Sequence, residues 1–290
     1  MLGILLRTER QAANATRFRS PDGGSVLPAV SLALLLILLV AATAYVFVAH
    51  LFPAPPPITS AALLVDHQYD LTLYAVGAAF ILAQLGLAYM VFRYRDRGQS
   101  AHFTRGHTWM EIAWTVITLA TFLGLGIAGN HVWADLEIAP SSSDPIQVEV
   151  TESQFVYTFR YPGPDGKFGR LDASLVSPAT GNPLGLDPND PAGKDDIVAS
   201  SLTVPVNRPI ELLIRSQDVV HNFFVRELRL QQDAVPGMVI PMRFTPDRIG
   251  HYEIVCTQLC GLGHYHMYSK LNVVSADDYL GFLKQQASAQ

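Results

Sequence analysis

The sequence predicts a membrane α plus extramembrane all-β protein, in which three N-terminal transmembrane helices precede a Greek-key β-sandwich. Three long apolar runs without a charged residue occupy the first 133 residues, and such runs are typical of helices that cross a bilayer. After residue 144 the pattern changes to short segments rich in Val, Ile, Phe and Tyr. Turn residues separate these segments without βαβ alternation, which favours a sandwich or barrel.

Each apolar run is long enough to span the hydrocarbon core, which takes about 20 residues of helix. The runs extend from Val26 to Leu51, from Leu71 to Phe92 and from Ile112 to Trp133. The first run could instead be a cleaved signal peptide. It exceeds the roughly 7–15 residues of a signal-peptide core, however, and no clean small-x-small cleavage site follows. A retained anchor is therefore the favoured interpretation.

The arginines predict the orientation of the helices. All eight basic residues before residue 134 are arginines, and they cluster before the first run and between the second and third. Because cytoplasmic segments are enriched in Lys and Arg, this bias places the N-terminus in the cytoplasm and the C-terminal domain outside. We therefore expect a protein of the bacterial inner (plasma) membrane with a periplasmic C-terminal domain. The arginines are Arg7, Arg10, Arg17, Arg19, Arg93, Arg95, Arg97 and Arg105.

The outer part of the chain, residues 134–290, is acidic. It holds 19 acidic and 12 basic side chains, a net charge of −7. Such a surface disfavours nucleic acid and would attract a basic protein partner, although solubility alone would also explain it. Residues 162–200 are rich in Pro, Gly and Asp and predict a long insertion outside the core. The segment that begins at Ser275 predicts a short, capped C-terminal helix.

Both cysteines of the chain lie in the segment VCTQLCGLGHYHMYS. A Cys256–Cys260 disulfide would close a very short loop and stabilise little, and a redox-active dithiol normally has Cys-x-x-Cys spacing. Thiolates accompanied by imidazole and thioether groups instead favour copper. His264 and Met267 supply those groups, and two converging thiolates can bridge two copper ions. One more imidazole is needed, and His221 stands at the start of a strand-like run.

This pattern, Cys-x-x-x-Cys-x-x-x-His-x-x-Met after a distant D-V-V-H, resembles the binuclear copper A site of subunit II of the haem-copper cytochrome c oxidases. The resemblance extends to the transmembrane hairpin, the outer sandwich and the segment DAVPGM, from about residue 65 to residue 285. It implies a cupredoxin-like fold and two copper ions. The implied ligands are the bridging Cys256 and Cys260, His221 and His264 with one copper each, and the weakly bound Met267 and backbone carbonyl of Gln258.

The resemblance also implies roles for residues outside the copper motif. Phe155 and Tyr157 stand where the family has an aromatic stretch, usually tryptophan-rich, through which electrons enter from cytochrome c. Ordinary strand packing is the other interpretation. Glu111 matches a glutamate beside the entrance of a proton channel in subunit I, or is an exposed interfacial residue. Where the family often has a glutamate that reaches magnesium, this chain has Gln258, so a magnesium ion here would depend more on subunit I.

Several other residues near the motif could contribute to the site. His266 and His251 are alternative imidazoles, but a histidine is more often a packed or surface residue than a ligand. Met238 and Met242 are expected to pack in strands. Asp218 could orient the imidazole that follows it three residues later, or only polarise its loop.

These observations predict the copper electron-transfer subunit of an aerobic terminal oxidase. It would accept electrons from cytochrome c or another haem c donor and pass them to haem in subunit I, where oxygen reduction is coupled to proton pumping. The chain has no Cys-x-x-Cys-His segment for covalent haem, so the donor must be a separate protein. Other oxidase subunits and membrane lipid are the remaining expected partners, and nucleic acid is not expected. The acidic insertion is a candidate docking surface for the donor.

Proteins of other classes share part of this pattern. A membrane-tethered copper chaperone for oxidase assembly also carries Cys-x-x-x-Cys and a distant His, but on a thioredoxin-like fold with one anchor. Nitrous oxide reductase shares the copper motif but needs a large catalytic domain that this chain cannot hold. We predict three regions: residues 1–65 with the extra span and an outer loop, residues 66–136 with the helical hairpin, and residues 137–290 with the copper domain.

Overall fold

The computed structural model describes residues 26–49, 53–97, 106–137 and 144–289. The helices α1 (Val26–Val48), α2 (Ser60–Arg93) and α3 (Thr108–Glu137) come first. All three are long and apolar enough to cross a membrane, which confirms the three predicted helices. Of the arginines that predict the orientation, Arg93, Arg95 and Arg97 lie at and just after the end of α2. The other five, Arg7, Arg10, Arg17, Arg19 and Arg105, lie outside the described residues.

The helix α2 begins at Ser60, well before the apolar run at Leu71 that predicted it. Thr59 caps the helix, because its Oγ1 accepts a hydrogen bond from the backbone N–H of Ala62 at 3.0 Å. The helix therefore begins earlier than the apolar run alone predicted. The first turns of α2 contact the outer domain, where Asp66 pairs with Arg229. Because these turns include a charged residue, hydropathy alone does not assign them to the helix.

Ten strands in the described part of the outer domain form two five-stranded sheets. The first sheet has the order β3-β2-β1-β5-β8 and the second has the order β4-β10-β9-β6-β7. Three apolar helices followed by a two-sheet sandwich confirm the predicted fold class. The strands are β1 (Ile146–Ser153), β2 (Val156–Tyr161), β3 (Ile197–Ala199), β4 (Leu202–Pro205), β5 (Ile210–Ser216), β6 (His221–Val225), β7 (Leu230–Ala234), β8 (Ile240–Phe244), β9 (Gly250–Val255) and β10 (Tyr268–Val274).

One cluster of buried apolar side chains joins the two sheets. Val148 and Val150 of β1 contribute from the first sheet, and Phe223 of β6 and Ile254 of β9 contribute from the second. The second sheet also fixes the functional loop. Since β6 runs antiparallel to β9, and β9 antiparallel to β10, the start of β6 lies at the same end of the sheet as the β9–β10 connection.

The insertion is an ordered structure held by its own aspartates. Asp165, Asp172, Asp187, Asp190, Asp195 and Asp196 each accept a hydrogen bond from a backbone N–H within residues 162–200. These carboxylates therefore stabilise turns, and their use in donor docking stays a prediction. The insertion is also shorter than predicted, because Ile197 and Ala199 are buried in the core as part of β3.

The C-terminal helix α4 (Ala276–Ala289) follows the predicted cap. Ser275 Oγ accepts a hydrogen bond from the N–H of Asp278 at 3.1 Å, and donates to the carboxylate of the same residue at 2.7 Å. The predicted cap is confirmed. Strand β7 was not predicted, because its sequence LQQDA has no β-branched or aromatic residue. The predicted domain boundaries after residues 65 and 136 stay predictions.

Candidate metal centre

The connection between β9 and β10 is a closed loop that carries five of the six predicted ligands. The N–H of Cys256 donates to the carbonyl of Met267 at 3.2 Å and closes the loop at its base. Inside the loop the N–H of His264 donates to Gly261 O, and the N–H of Met267 donates to His264 O, both at 3.1 Å. These bonds form a 3₁₀ turn that folds the far end of the loop back over the cysteines.

The sulfur atoms of the loop lie close together in the protein interior. Cys256 Sγ and Cys260 Sγ are 3.9 Å apart, far longer than the roughly 2.05 Å of a disulfide bond. Cys260 Sγ lies 3.8 Å from Met267 Sδ and 3.6 Å from His264 Nδ1. Cys256 Sγ is 3.1 Å from the carbonyl oxygen of Gln258. The structure thus brings all five loop ligands of the prediction together.

His221 completes the cluster from the first position of β6. Its ring is fully buried, and its ligand atom lies within 4.8 Å of both cysteine sulfurs. Nε2 lies 2.7 Å from Asp218 Oδ1, whereas the buried Nδ1 has no hydrogen-bond partner among the described residues. Since buried nitrogens are nearly always satisfied, a nitrogen left open beside two thiols fits a metal ligand. Two sulfurs with imidazole and thioether groups suit copper.

Asp218 holds the imidazole in the required tautomer. Its carboxylate accepts a hydrogen bond from the Nε2–H of His221, which leaves the lone pair of Nδ1 free for a metal. Burial would raise the pKa of Asp218, but hydrogen bonds from the N–H of Gln154 and from His221 lower it overall. Asp218 is therefore a carboxylate at neutral pH. The orienting role that the sequence left open for Asp218 is the one that this geometry favours.

Substituting Asp218 tests this orienting role. We expect Asp218→Asn to weaken copper binding by about 10- to 100-fold, because the amide no longer fixes the tautomer with a full negative charge. Copper affinity is measured by competition with a chelator on the full-length chain. Asp277→Asn, at an exposed site in the first turn of α4, is the control. Equal affinities in the two variants would contradict the role assigned to Asp218.

Gln154 is a functional neighbour that sequence reasoning missed. Its backbone N–H donates to Asp218 Oδ2 at 2.8 Å, and its side-chain Nε2 donates to the carbonyl of Cys260 at 2.5 Å. One residue thus joins the partner of His221 to the cysteine loop. No local pattern signals this role, because the two contacts join residues 64 and 106 positions apart.

Comparison with known proteins identifies the family. The family model for the periplasmic domain of cytochrome c oxidase subunit II matches residues 190–274. The chain is 35% identical over 262 residues to an alternative cytochrome c oxidase subunit 2 of Bradyrhizobium diazoefficiens, covering 87% of this chain and 91% of that relative. This chain belongs to the cytochrome c oxidase subunit II family. The identification confirms the resemblance seen in the sequence and the prediction of an oxidoreductase subunit.

Other members of the family are more distant. The cytochrome c oxidase subunit 2 of Cereibacter sphaeroides is 28% identical over 225 residues, which cover 73% of each chain. The crystal structure of the periplasmic domain of subunit II from Bradyrhizobium japonicum aligns with 22% identity and a TM-score of 0.38. That alignment covers 52% of this chain and 97% of the other. The two-sheet sandwich and the family membership together argue against the thioredoxin-like copper chaperone.

The two aromatic residues predicted to receive electrons occupy different environments in this subunit II. Phe155 lies in the turn between β1 and β2, half-buried, and its ring packs on the ligand loop so closely that a Cβ on Gly263 would lie 2.4 Å from it. Tyr157 is only 2% exposed. Its hydroxyl donates to the carbonyl of Asn222 at 2.8 Å. The role of both residues in electron transfer stays a prediction. Of the two, only Phe155 reaches the surface.

The remaining candidate residues lie away from the cluster. His266 is exposed and its ring lies against that of Tyr265, and the exposed His251 bonds to Asn272. Met242 is buried in β8 as expected. The prediction for Met238 is wrong, because it lies outside the strands and is 53% exposed. Glu111 lies in the first turn of α3, and its link to a proton channel stays a prediction.

Proposed function

We propose that this chain is the copper-carrying electron-transfer subunit of a terminal oxidase. It accepts single electrons from cytochrome c, or another haem c donor, and passes them to haem in subunit I, where oxygen is reduced and protons are pumped. The observation that carries the proposal is that two buried thiols meet the buried ring of His221, whose Nδ1 has no hydrogen-bond partner among the described residues. The ligands are His221, Cys256, Gln258 through its carbonyl, Cys260, His264 and Met267, around two copper ions.

The fold itself holds these ligands in position. His221 is fixed by β6 and Asp218, and the cysteine loop is fixed at both ends by β9 and β10. A rigid, largely buried donor set keeps its geometry when a bound metal changes charge, and it excludes water from the metal. Copper ions held by Cys256, Cys260 and the other ligands would supply a one-electron store with little reorganisation. In the metal-free chain, burial and the nearby Cys256 raise the pKa of Cys260 to about 11, so metal binding there must displace a proton.

The rest of the proposal concerns the setting of the centre. Phe155 packs on the loop between Cys260 and His264, which supports a route for electrons from the surface to the ligands. The acidic outer domain suits a basic donor protein. We place this domain in the periplasm and the helices in the bacterial inner membrane, in contact with lipid and subunit I. The exposed side chain of Gln258 is available to a magnesium ion held mainly by subunit I. Glu111, in the first turn of α3, is the residue that we assign to the entrance of a proton channel in subunit I.

The proposal is tested by metal analysis and electron paramagnetic resonance on the full-length chain loaded with copper. We expect two copper ions per chain that share one unpaired electron, seen as a seven-line hyperfine pattern. Cys256→Ser and His221→Ala should abolish this pattern. His251→Ala is the matched control, because His251 is an exposed histidine of β9 outside the cluster. A single copper ion per chain, or a pattern that survives Cys256→Ser, would contradict the proposal.

A further inference from the structure

The segment that precedes α2 is part of the outer domain. Ile58 and Thr59 are 1% and 2% exposed, and Ile58 belongs to the core of the sandwich. The N–H of Ile58 donates to the carbonyl of Glu227 at 3.1 Å, and the N–H of Asp247 donates to the carbonyl of Ile58 at 2.9 Å. The chain therefore passes from the sandwich into α2 without a free linker.

Arg229 ties this segment to the turn between β6 and β7. Its guanidinium donates to both carboxylate oxygens of Asp66, from Nε at 2.7 Å and from Nη2 at 3.2 Å. Nη2 also donates to the carbonyl of Pro55 at 2.7 Å, and Nη1 donates to the carbonyl of Arg226 at 2.5 Å. The Arg229 side chain is 14% exposed. A two-pronged, charge-assisted contact of this kind fixes direction as well as distance.

Arg229 adopts a backbone conformation that is unfavourable for an arginine. Its φ of 56° lies in the left-handed region, which glycine adopts without cost and other residues rarely adopt. A glycine would therefore suit the turn better than an arginine. Since the arginine occupies the position against its backbone preference, its guanidinium must compensate through Asp66 and Pro55.

The turn that carries Arg229 belongs to the same β-hairpin as a metal ligand. Strand β6 begins with His221, ends at Val225, and is followed by the turn and by β7. Strand β6 pairs with β7 along its whole length, so a contact made at Arg229 restrains both strands. The Arg229 contacts thus join the strand of His221 to the first turns of α2.

We propose that Arg229 is a positioning residue that fixes the metal-bearing sandwich on the outer end of α2. By holding Asp66 and Pro55, it keeps the sandwich, and the ligands that the sandwich carries, in a constant position on the first turns of α2. The consequence for electron transfer rests on the proposed function, whereas the restraint itself does not. Small displacements of a reacting centre are costly, up to about 100-fold for roughly 1 Å.

Hydrogen exchange on the full-length chain in detergent tests the restraint. Arg229→Gly and Asp66→Asn should each accelerate exchange of the Ile58 and Asp247 amides by about tenfold or more, because each removes a charge-assisted contact that closes this region. The double variant should exchange no faster than either single variant. Arg226→Ala, an arginine of the same turn with a side chain 59% exposed, should leave exchange unchanged. Unchanged exchange in Arg229→Gly and Asp66→Asn would overturn the proposal.

A second measurement separates positioning from stability. In the assembled oxidase, Arg229→Gly should slow single-turnover electron transfer from copper to haem at least about threefold, while the copper spectrum stays that of the parent protein. Faster amide exchange with an unchanged transfer rate would overturn the positioning role. If the parent chain shows no binuclear copper signal, the proposed function fails instead, and the exchange measurement still decides whether Arg229 restrains the segment.

Discussion

Replacing Arg160 with alanine should lower the free energy of unfolding of the outer domain by about 3–5 kcal/mol, because it leaves the buried carboxylate of Asp196 without its cation. Arg160 is 2% exposed and lies on β2. Its Nε donates to Glu149 at 2.7 Å, and its Nη1 donates to Asp196 at 2.8 Å and to the carbonyl of Gly169 at 2.7 Å. Its guanidinium also lies 4.9 Å from the ring of Phe168.

The loss should be large because one of the two carboxylates that Arg160 contacts has no other cation beside it in the described structure. Glu149 keeps a second cation, since Arg215 Nη2 donates to it at 2.7 Å. Asp196 has a fully buried side chain, and only the N–H of Gly169 would remain as its partner in the described structure. Burial already raises the pKa of Asp196 against the opposing effects of Gly169 and Arg160. Without Arg160 this carboxyl must take up a proton or lie unpaired in the interior.

Native-state hydrogen exchange across a urea series measures this loss on β1, β2 and β5. The matched control is Arg208→Ala, since Arg208 is half-exposed and pairs at 3.3 Å with the exposed Asp144. Exposed ion pairs contribute about 0–1 kcal/mol, so the control should change little. Adding Asp196→Asn to Arg160→Ala should recover part of the loss, because it removes the unpaired charge. Equal losses for Arg160→Ala and Arg208→Ala would contradict the prediction.

The metal cluster was predictable because most of it is local in sequence. Cys256, Cys260, His264 and Met267 fall within twelve positions, and one loop between two paired strands gathers them. His221 is 35 residues before Cys256, and the residues alone made it only a candidate for the missing imidazole. The family resemblance supplied its identity, and the pairing of β6 with β9 explains how it reaches the loop.

Contacts that cross the sandwich were not predictable, because they depend on which strands become neighbours. Gln154 joins two parts of the metal site, yet it reads as an ordinary polar turn residue. Asp66 lies before the apolar run at Leu71, and nothing near it in sequence indicates its partner Arg229, which is 163 residues away. The partners of Arg160, Glu149 and Asp196, lie 11 and 36 residues away in sequence. In each case the polar side chain interrupts a local pattern, and only the folded chain shows the partner that compensates for it.

Glu152 is a polar residue at a core position of β1, but unlike the residues above it has no compensating partner in the described structure. It follows Val148 and Val150 at alternate positions of β1 and therefore faces the core. Its side chain is fully buried, and neither carboxyl oxygen has a hydrogen-bond partner within the described chain. The carboxylate of Asp233 also acts on Glu152, and it repels the ionised form because its charge has the same sign. Burial first, and then Asp233, raise the pKa of Glu152 to about 9.

Stability of the outer domain should therefore fall as pH rises, and Glu152→Gln should remove most of that fall. In the unfolded chain the pKa of Glu152 returns to 4.5, so the folded state binds the extra proton between that value and about 9. Because the unfolded chain loses this proton more readily as the pH rises, the free energy of keeping the carboxyl protonated in the folded protein grows across this window. The cost amounts to roughly 4 kcal/mol between about pH 5 and about pH 8. A glutamine is neutral throughout and lacks this dependence.

The measurement is the free energy of unfolding of the metal-free, full-length chain at a series of pH values, with Glu253→Gln as control. Glu253 is an exposed glutamate of β9, so its loss should leave the pH dependence of the parent protein in place. The difference between Glu152→Gln and the parent should grow from near zero at about pH 5. A constant difference across the series would show that Glu152 is ionised in the folded protein, which would require a cation or solvent in contact with its buried carboxylate.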